Sequence, residues 1–192
     1  MSIPESRLLF QHPLVSVEER LETGGEKRLI VHRGAFVAVC LALRTKEGEE
    51  YFLVLHQYRT AASEALYEHP AGMIDAGETP IEAALRELAE ETGWLLTEED
   101  LHALASHSFY PSPAIWKEEG YFFAARLTVP RAVLDAYLTY ASREMKGERL
   151  QLTILSAKEL LKRTRNLQTF AHTCLYHAYL SASDGKLPSP SD

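Results

Sequence analysis

The stretch EHPAGMIDAGETPIEAALRELAEETGW, Glu68 to Trp94, decides how this chain is read. Two glycine-bearing turns, PAG and DAG, precede a run of helical periodicity into which Glu78, Glu82, Glu87, Glu90 and Glu91 are crowded. Thr79 suits a helix cap, Pro80 suits the first helical position, and Glu82 can close a capping box. Gly93 stands where a left-handed residue stops a helix. The spacing predicts a helix over about Pro80 to Thr92, with Ile81, Ala84, Leu85 and Leu88 as its core-facing stripe. Glu87, Glu90 and Glu91 fall beside that stripe at i, i+3 and i+4, and in water such like charges repel by a few tenths of a kcal/mol per pair. Arg86 relieves part of that repulsion. The cluster is therefore either a solvated acidic face or a holder for a cation. The small residues of PAG and DAG favour the second, because they let backbone carbonyls approach an ion. A hard divalent cation such as Mg²⁺ takes oxygen ligands of this kind, with water and phosphate completing its shell.

Around this stretch, 192 residues suit one domain, and 46% apolar residues supply a core. A net charge of -7 argues against a nonspecific binder of nucleic acid polymers, which needs a basic footprint. A small anionic substrate remains compatible, since bound cations invert the local field. Cys40 and Cys174 lie in apolar surroundings without a paired motif, which predicts a reduced cytoplasmic protein. The first residues lack a charged segment followed by an apolar one, and no run of about 18 apolar residues suggests a membrane span.

Upstream, LVSVEERLE, KRLIVH, GAFVAVCLALR and EYFLVLHQYR read as strands, with hairpin turns at ETGGEKR and TKEGEE. Downstream, LHALASHSFY suggests a short strand at most. YPSPAIWKEEG reads as a loop because Pro111 and Pro113 interrupt ladders and helices alike. YFFAARLTV and ERLQLTIL read as strands. PRAVLDAYLTYASREM, SAKELLKRT with a Ser156 cap, and NLQTFAHTCLYHAYLSA read as helices, and the tail SDGKLPSPSD as frayed. The fold class is mixed α/β.

Gly72, five residues, Glu78, seven residues, and then Arg86-Glu87-Leu88-Ala89-Glu90-Glu91-Thr92-Gly93-Trp94 resemble a complete Nudix box. That is the signature of Nudix hydrolases, which cleave nucleoside diphosphates linked to another moiety. RGAFVAV, LVLHQYR, YEHPAGMIDAGE and YPSPAIWKEEGYFFAARL are similar to the ADP-ribose pyrophosphatase branch. The resemblance implies an α/β/α sandwich with a mixed sheet and a short N-terminal β extension. It divides the chain into a dimer-forming extension (1–33), a Nudix domain (34–183) and a flexible tail (184–192). It implies Mg²⁺-dependent hydrolysis of ADP-ribose or a related nucleoside diphosphate sugar by a homodimer, with Mn²⁺ as a substitute ion. A dinucleotide or coenzyme pyrophosphohydrolase, or an ADP-ribose sensor, are the alternatives.

By the same resemblance, Glu87 and Glu91 are the principal metal ligands, joined by the Ala71 carbonyl, with Glu90 close to a further ion and to the chemistry. Glu87 and Glu91 also lie one helical turn apart on one side. Gly72 permits close backbone approach, Gly93 ends the helix, and Glu78 with Arg86 ties the loop to it. Glu118 takes the place of the general base, with Glu119 as its rival, and a solvated surface is the alternative for both. Arg59 in QYR is implied as a bidentate phosphate grip, against the alternative of a surface arginine ending a strand. Trp116, with Phe109 and Tyr110, can stack on a base or simply pack. Ala114, Lys117 and His69 depart from the branch's pattern. His69 reads as packing or hydrogen bonding, and Pro130 to Gly147 looks inserted.

Overall fold

A computed structural model describes residues 6–139, 143–145 and 148–187. Its longest element is β3 (Lys27–Arg44), around which the sheet is assembled. Residues 36–43 of this strand are buried without interruption, the pattern of a strand covered on both faces. Before it come β1 (Ser6–His12) and β2 (Val15–Leu21), paired antiparallel, with β2 paired in turn to the first part of β3. The two stretches KRLIVH and GAFVAVCLALR, expected as separate strands, are one. Gly34, at φ +98°, carries the strand on where an ordinary residue would be strained.

Three elements lie along one side of β3 after β2. They are β4 (Glu50–Arg59), β6 (Ala71–Met73), and β5 (Glu64–Glu68) attached through β4. Along the other side runs β8 (Trp116–Thr128), parallel to β3 from Val31↔Trp116 to Arg44↔Thr128. This corrects the reading of WKEEG as a loop. Its charges and glycine are locally loop-like, but β3 offers it a continuous row of backbone partners. The short β7 (His102–Ala103) pairs with β8. β10 (Glu148–Leu155) joins the far edge of β4 and carries β9 (Arg143–Met145).

The helix expected from Pro130 to Met145 is shorter. It is α2 (Arg131–Thr139), and β9 occupies its expected end, drawn off to pair with the edge of β10. Residues 140–142 and 146–147 of the inserted segment lie outside the described residues.

Alternation along β3 sends side chains to two helical layers. Val37, Val39, Leu41 and Leu43 pack with Phe123, Leu53 and Ile154 against Ala84 and Leu88 of α1 (Pro80–Thr92) and Leu134 of α2. Cys40 and Ala42 face the opposite way, toward Leu160 of α3 (Ala157–Arg163) and Tyr176 of α4 (Leu167–Ala182). The result is the expected α/β/α sandwich. Ser156 caps α3 in a capping box with Glu159, as its sequence predicts. Beyond α4 the tail stays attached as far as it is described. Arg126 donates to the Gly185 carbonyl at 2.8 Å, and Leu187 packs on the second core. Residues 188–192, the rest of the expected flexible tail, lie outside the described residues.

Candidate functional site

The helix α1 begins and ends as its sequence dictates. The Glu82 carboxylate accepts from the Thr79 N–H at 2.8 Å, and the Thr79 hydroxyl accepts from the Glu82 N–H at 3.4 Å. Gly93 sits in the left-handed region at φ 79°, and its N–H donates to the Ala89 carbonyl at 2.9 Å. The buried stripe is turned slightly from the expected one. Ala83, Ala84, Glu87 and Leu88 are inside, while Ile81 and Leu85 are partly covered.

Arg86 ties the preceding loop to this helix. Its Nε and Nη2 each donate to Glu78 at 2.8 Å, Nη2 also reaches the Met73 carbonyl at 2.9 Å, and Nη1 reaches Glu87 at 2.6 Å. The guanidinium, with the Asp75 N–H, lowers the Glu78 carboxyl to about 2. The expected Glu78–Arg86 pair is therefore present, with a grip on Glu87 added. Gly72 is held to its side chain by contact. A Cβ there would stand 2.0 Å from the Glu87 carboxyl carbon. The strand β6 presents its edge to the helix, and the Ala71 N–H donates to Glu91 at 2.9 Å. Burial raises the Glu91 carboxyl to about 8; the Ala71 bond opposes the rise and the Glu87 charge adds to it. Glu90 is more open, 3.6 Å from Arg86. Among the described residues no three His, Cys, Asp or Glu side chains already surround a single metal position.

Ala71 and Gly72 also border a cavity of about 430 Å³, shared with Arg33, Arg59 and Glu68. The Arg59 guanidinium grips the buried Glu68 through Nε at 3.0 Å and Nη2 at 2.5 Å, and Asn166 donates to the same carboxylate at 2.9 Å. Both charges are felt at Glu91, Arg59 lowering and Glu68 raising its proton affinity. The charged residues of the cavity thus lie within electrostatic reach of the acidic helix.

The model of the NUDIX domain matches residues 34–166, over two thirds of the chain. The chain belongs to the Nudix family. It is 30% identical to Nudix hydrolase 14, chloroplastic, of Arabidopsis thaliana over 81% of this chain and 53% of that one. It is 33% identical to the ADP-ribose pyrophosphatase of Bacillus subtilis over 52% of this chain and 49% of that one. The chain thus spans about half the length of these curated relatives. A crystal structure of an ADP compounds hydrolase superposes with a TM-score of 0.65 at 18% identity, over 97% of this chain and 98% of that one. At that identity the likeness speaks to the fold.

The remaining expected Nudix site residues are distributed by β8. Glu118 and Glu119, neighbours in sequence, point to opposite faces of the strand. Glu118 is buried and accepts from Arg33 Nη1 at 2.7 Å. Glu119 accepts from the Ser108 hydroxyl at 2.7 Å and lies 3.4 Å from the Tyr110 hydroxyl. Trp116 borders a second depression with Tyr110, Ile115 and Arg20, and is not among the residues lining the Arg59 cavity. No helix among the described residues is long and apolar enough to cross a membrane.

Arg33, Asn166 and His172 are among the cavity residues that escape a reading of the sequence. Gly34 within an apolar strand pattern is a signal for a bulge and could have directed attention to Arg33. Nothing local marks the other two. His172 Nε2 donates to the Phe123 carbonyl at 2.9 Å, and burial lowers its imidazole to about 4, with that bond opposing. His69 packs edge-on to it at 4.9 Å and contacts Thr173 at 2.9 Å. The Thr173 hydroxyl donates to the Thr169 carbonyl, so it accepts from His69 Nε2. His69 is a buried hydrogen-bonding group, as expected, and burial holds its imidazole well below the usual range.

Proposed function

We propose that this Nudix protein hydrolyses the pyrophosphate bond of ADP-ribose or a related nucleoside diphosphate sugar, giving a nucleoside monophosphate and a sugar phosphate. One observation carries the reading: Gly72 touches both the Glu87 carboxylate and the cavity that Arg59 borders. A carboxylate cluster suited to a cation thereby adjoins a pocket bearing guanidinium groups suited to phosphate. The relative named as an ADP-ribose pyrophosphatase supports the choice of substrate class.

The donor set fits Mg²⁺, with Mn²⁺ as a substitute. It consists of oxygen donors, the missing Cβ of Gly72 lets the Glu87 carboxylate lie against the backbone of β6, and Glu91 sits in a desolvated, negatively charged setting that a cation would relieve. Glu87, Glu90, Glu91 and the Ala71 carbonyl would hold the ion, which when bound supplies positive charge to the phosphate oxygens and acidifies water. Arg59, fixed by Glu68, orients a phosphoryl group. A water oxygen bonds to one phosphorus in line, and the bond from that phosphorus to the bridging oxygen breaks. The leaving phosphate takes the electron pair, and the water's proton passes to a carboxylate on β8. Glu118 is our assignment for that base, on the strength of its bond to Arg33 at the cavity wall. Glu119 is the alternative.

The deciding experiment is a substrate panel with Mg²⁺ in which AMP and free phosphate are resolved separately. AMP with ribose 5-phosphate from ADP-ribose supports the reading; turnover confined to substrates that release free phosphate sinks it. We also propose a homodimer in a reducing, cytoplasmic setting. Leu8, Leu9 and Phe10 of β1 are 59%, 46% and 52% exposed, an apolar edge that a second copy would cover. Light scattering that returns a mass near 21.6 kDa at micromolar concentration would rule the dimer out.

A further inference from the structure

Two arginines of the cavity wall, Arg59 and Arg33, stand in ion pairs of the same build. Arg59 lies over Glu68, and Arg33 over Glu118. In each pair the carboxylate is inside and the cation outside, with side-chain exposures of 46% and 6% for the first and 51% and 8% for the second. Arg33 reaches its place through an irregularity in β3. Pairing with β8 passes from His32↔Lys117 directly to Gly34↔Glu118, so Arg33 has no residue opposite it. This is a β-bulge, and a bulge re-aims the side chain it carries. Gly34 makes the bulge at φ +98°. Glu118 engages Arg33 through Nη1 at 2.7 Å, and among the described residues Nε and Nη2 of Arg33 meet no acceptor. The planar fork therefore presents two further donors from a fixed base beside the cavity.

We propose that Arg33 is a second anion-binding arginine of this cavity, held by Glu118 so that its Nε and Nη2 take a phosphoryl oxygen of a diphosphate whose other phosphoryl group is taken at Arg59. The assignment rests on the hydrolase reading above and deepens it. A monophosphate can occupy one arginine, whereas a diphosphate occupies both. The bulge thus makes Arg33 a selector for two adjacent phosphoryl groups, and Glu118 acquires the role of positioning it in addition to its place in the chemistry.

The test is calorimetric titration, with Mg²⁺ present, of α,β-methylene-ADP and of AMP into the parent, R33Q and R33K proteins. Losing one charge-assisted contact should weaken α,β-methylene-ADP by about 10-fold or more in R33Q. AMP affinity should stay within about twofold, and R33K should recover part of the diphosphate affinity, since an ammonium keeps the charge without the fork. Because R33Q leaves Glu118 buried without its cation, R33Q/E118Q serves as the companion variant, and it should show the same selective loss. Equal weakening of both ligands would reduce Arg33 to a structural residue, and unchanged diphosphate affinity would remove it from the site; either overturns the proposal. A parent that binds neither ligand while folded would sink the hydrolase reading itself, and Arg33's role with it.

Discussion

The carboxylates of α1 and those of β8 are treated in opposite ways. On α1, Glu87 and Glu91 are packed against Ala71 and Gly72 of β6, and the surroundings raise Glu91 to about 8. On β8, Glu118 and Glu119 are separated by the pleat, and each has its own partner, Arg33 for one and Ser108 for the other. The helix concentrates negative charge in a dry place, a cost that a divalent ion would offset. The strand distributes its charge and fixes two carboxylates in different directions. Binding an ion calls for the first arrangement, and accepting a proton in a set direction calls for the second.

Replacing Glu91 by Gln tests the first region and should give the largest effect. Turnover should fall by roughly 10²-fold or more at limiting Mg²⁺, the scale of losing one strong electrostatic contributor. The fold should survive, because glutamine keeps the size and hydrogen bonding of the side chain. Turnover within about threefold of the parent would remove Glu91 from the metal site.

E118Q and E119Q test the second region. E118Q should lower kcat by about 10²-fold or more while changing Mg²⁺ dependence little, and E119Q should do much less. A larger kcat loss in E119Q would move the base to the other face of the strand. If E118Q chiefly raises KM, Glu118 acts through Arg33 and not on the proton.

The smallest expected effect concerns stability at the floor of β8. His172 is 1% exposed, donates to the Phe123 carbonyl, and is held at about 4 against an ordinary value of 6.5. Between those values the unfolded chain binds a proton that the native chain refuses, so stability falls as pH drops below 6.5 and stops falling from this source near pH 4. The loss amounts to about 3 kcal/mol at most. Urea midpoints from about pH 7 to pH 4 should show it, with a shallower decline in H172Q. An identical decline in the variant would assign the acid sensitivity elsewhere, His69 being the first candidate.

The same contrast separates the elements that are legible in the amino-acid sequence from those that are not. The helix α1 declares itself through residues close in sequence: Thr79 with Glu82, Glu78 with Arg86, Gly72 with Glu87. Its bounds, its caps and its loop pair follow from local chemistry, and so does the strand EYFLVLHQYR. The start of β8 depends on β3, more than eighty residues away, and its glutamates look like loop residues until β3 lies beside them. The strands β1, β5 and β6 carry little signal of their own for a similar reason, since short or exposed strands are specified by their neighbours. Asn166 and His172 reach the cavity from the start of α4, about a hundred residues beyond Arg59 and Glu68, a distance over which no periodicity carries information.

The length of β3 has a mechanical consequence. A strand of 18 residues belongs at once to the N-terminal hairpin and to the centre of the sandwich, so the two cannot move as bodies joined by a free linker. Any tilt of the hairpin must be taken up as bending within β3, and bending is easiest at Gly34, where the ladder is already out of step. The residue next to that point of least stiffness is Arg33. A load placed on the outer hairpin, by a second copy or by an engineered fusion, arrives first at the guanidinium on the cavity wall.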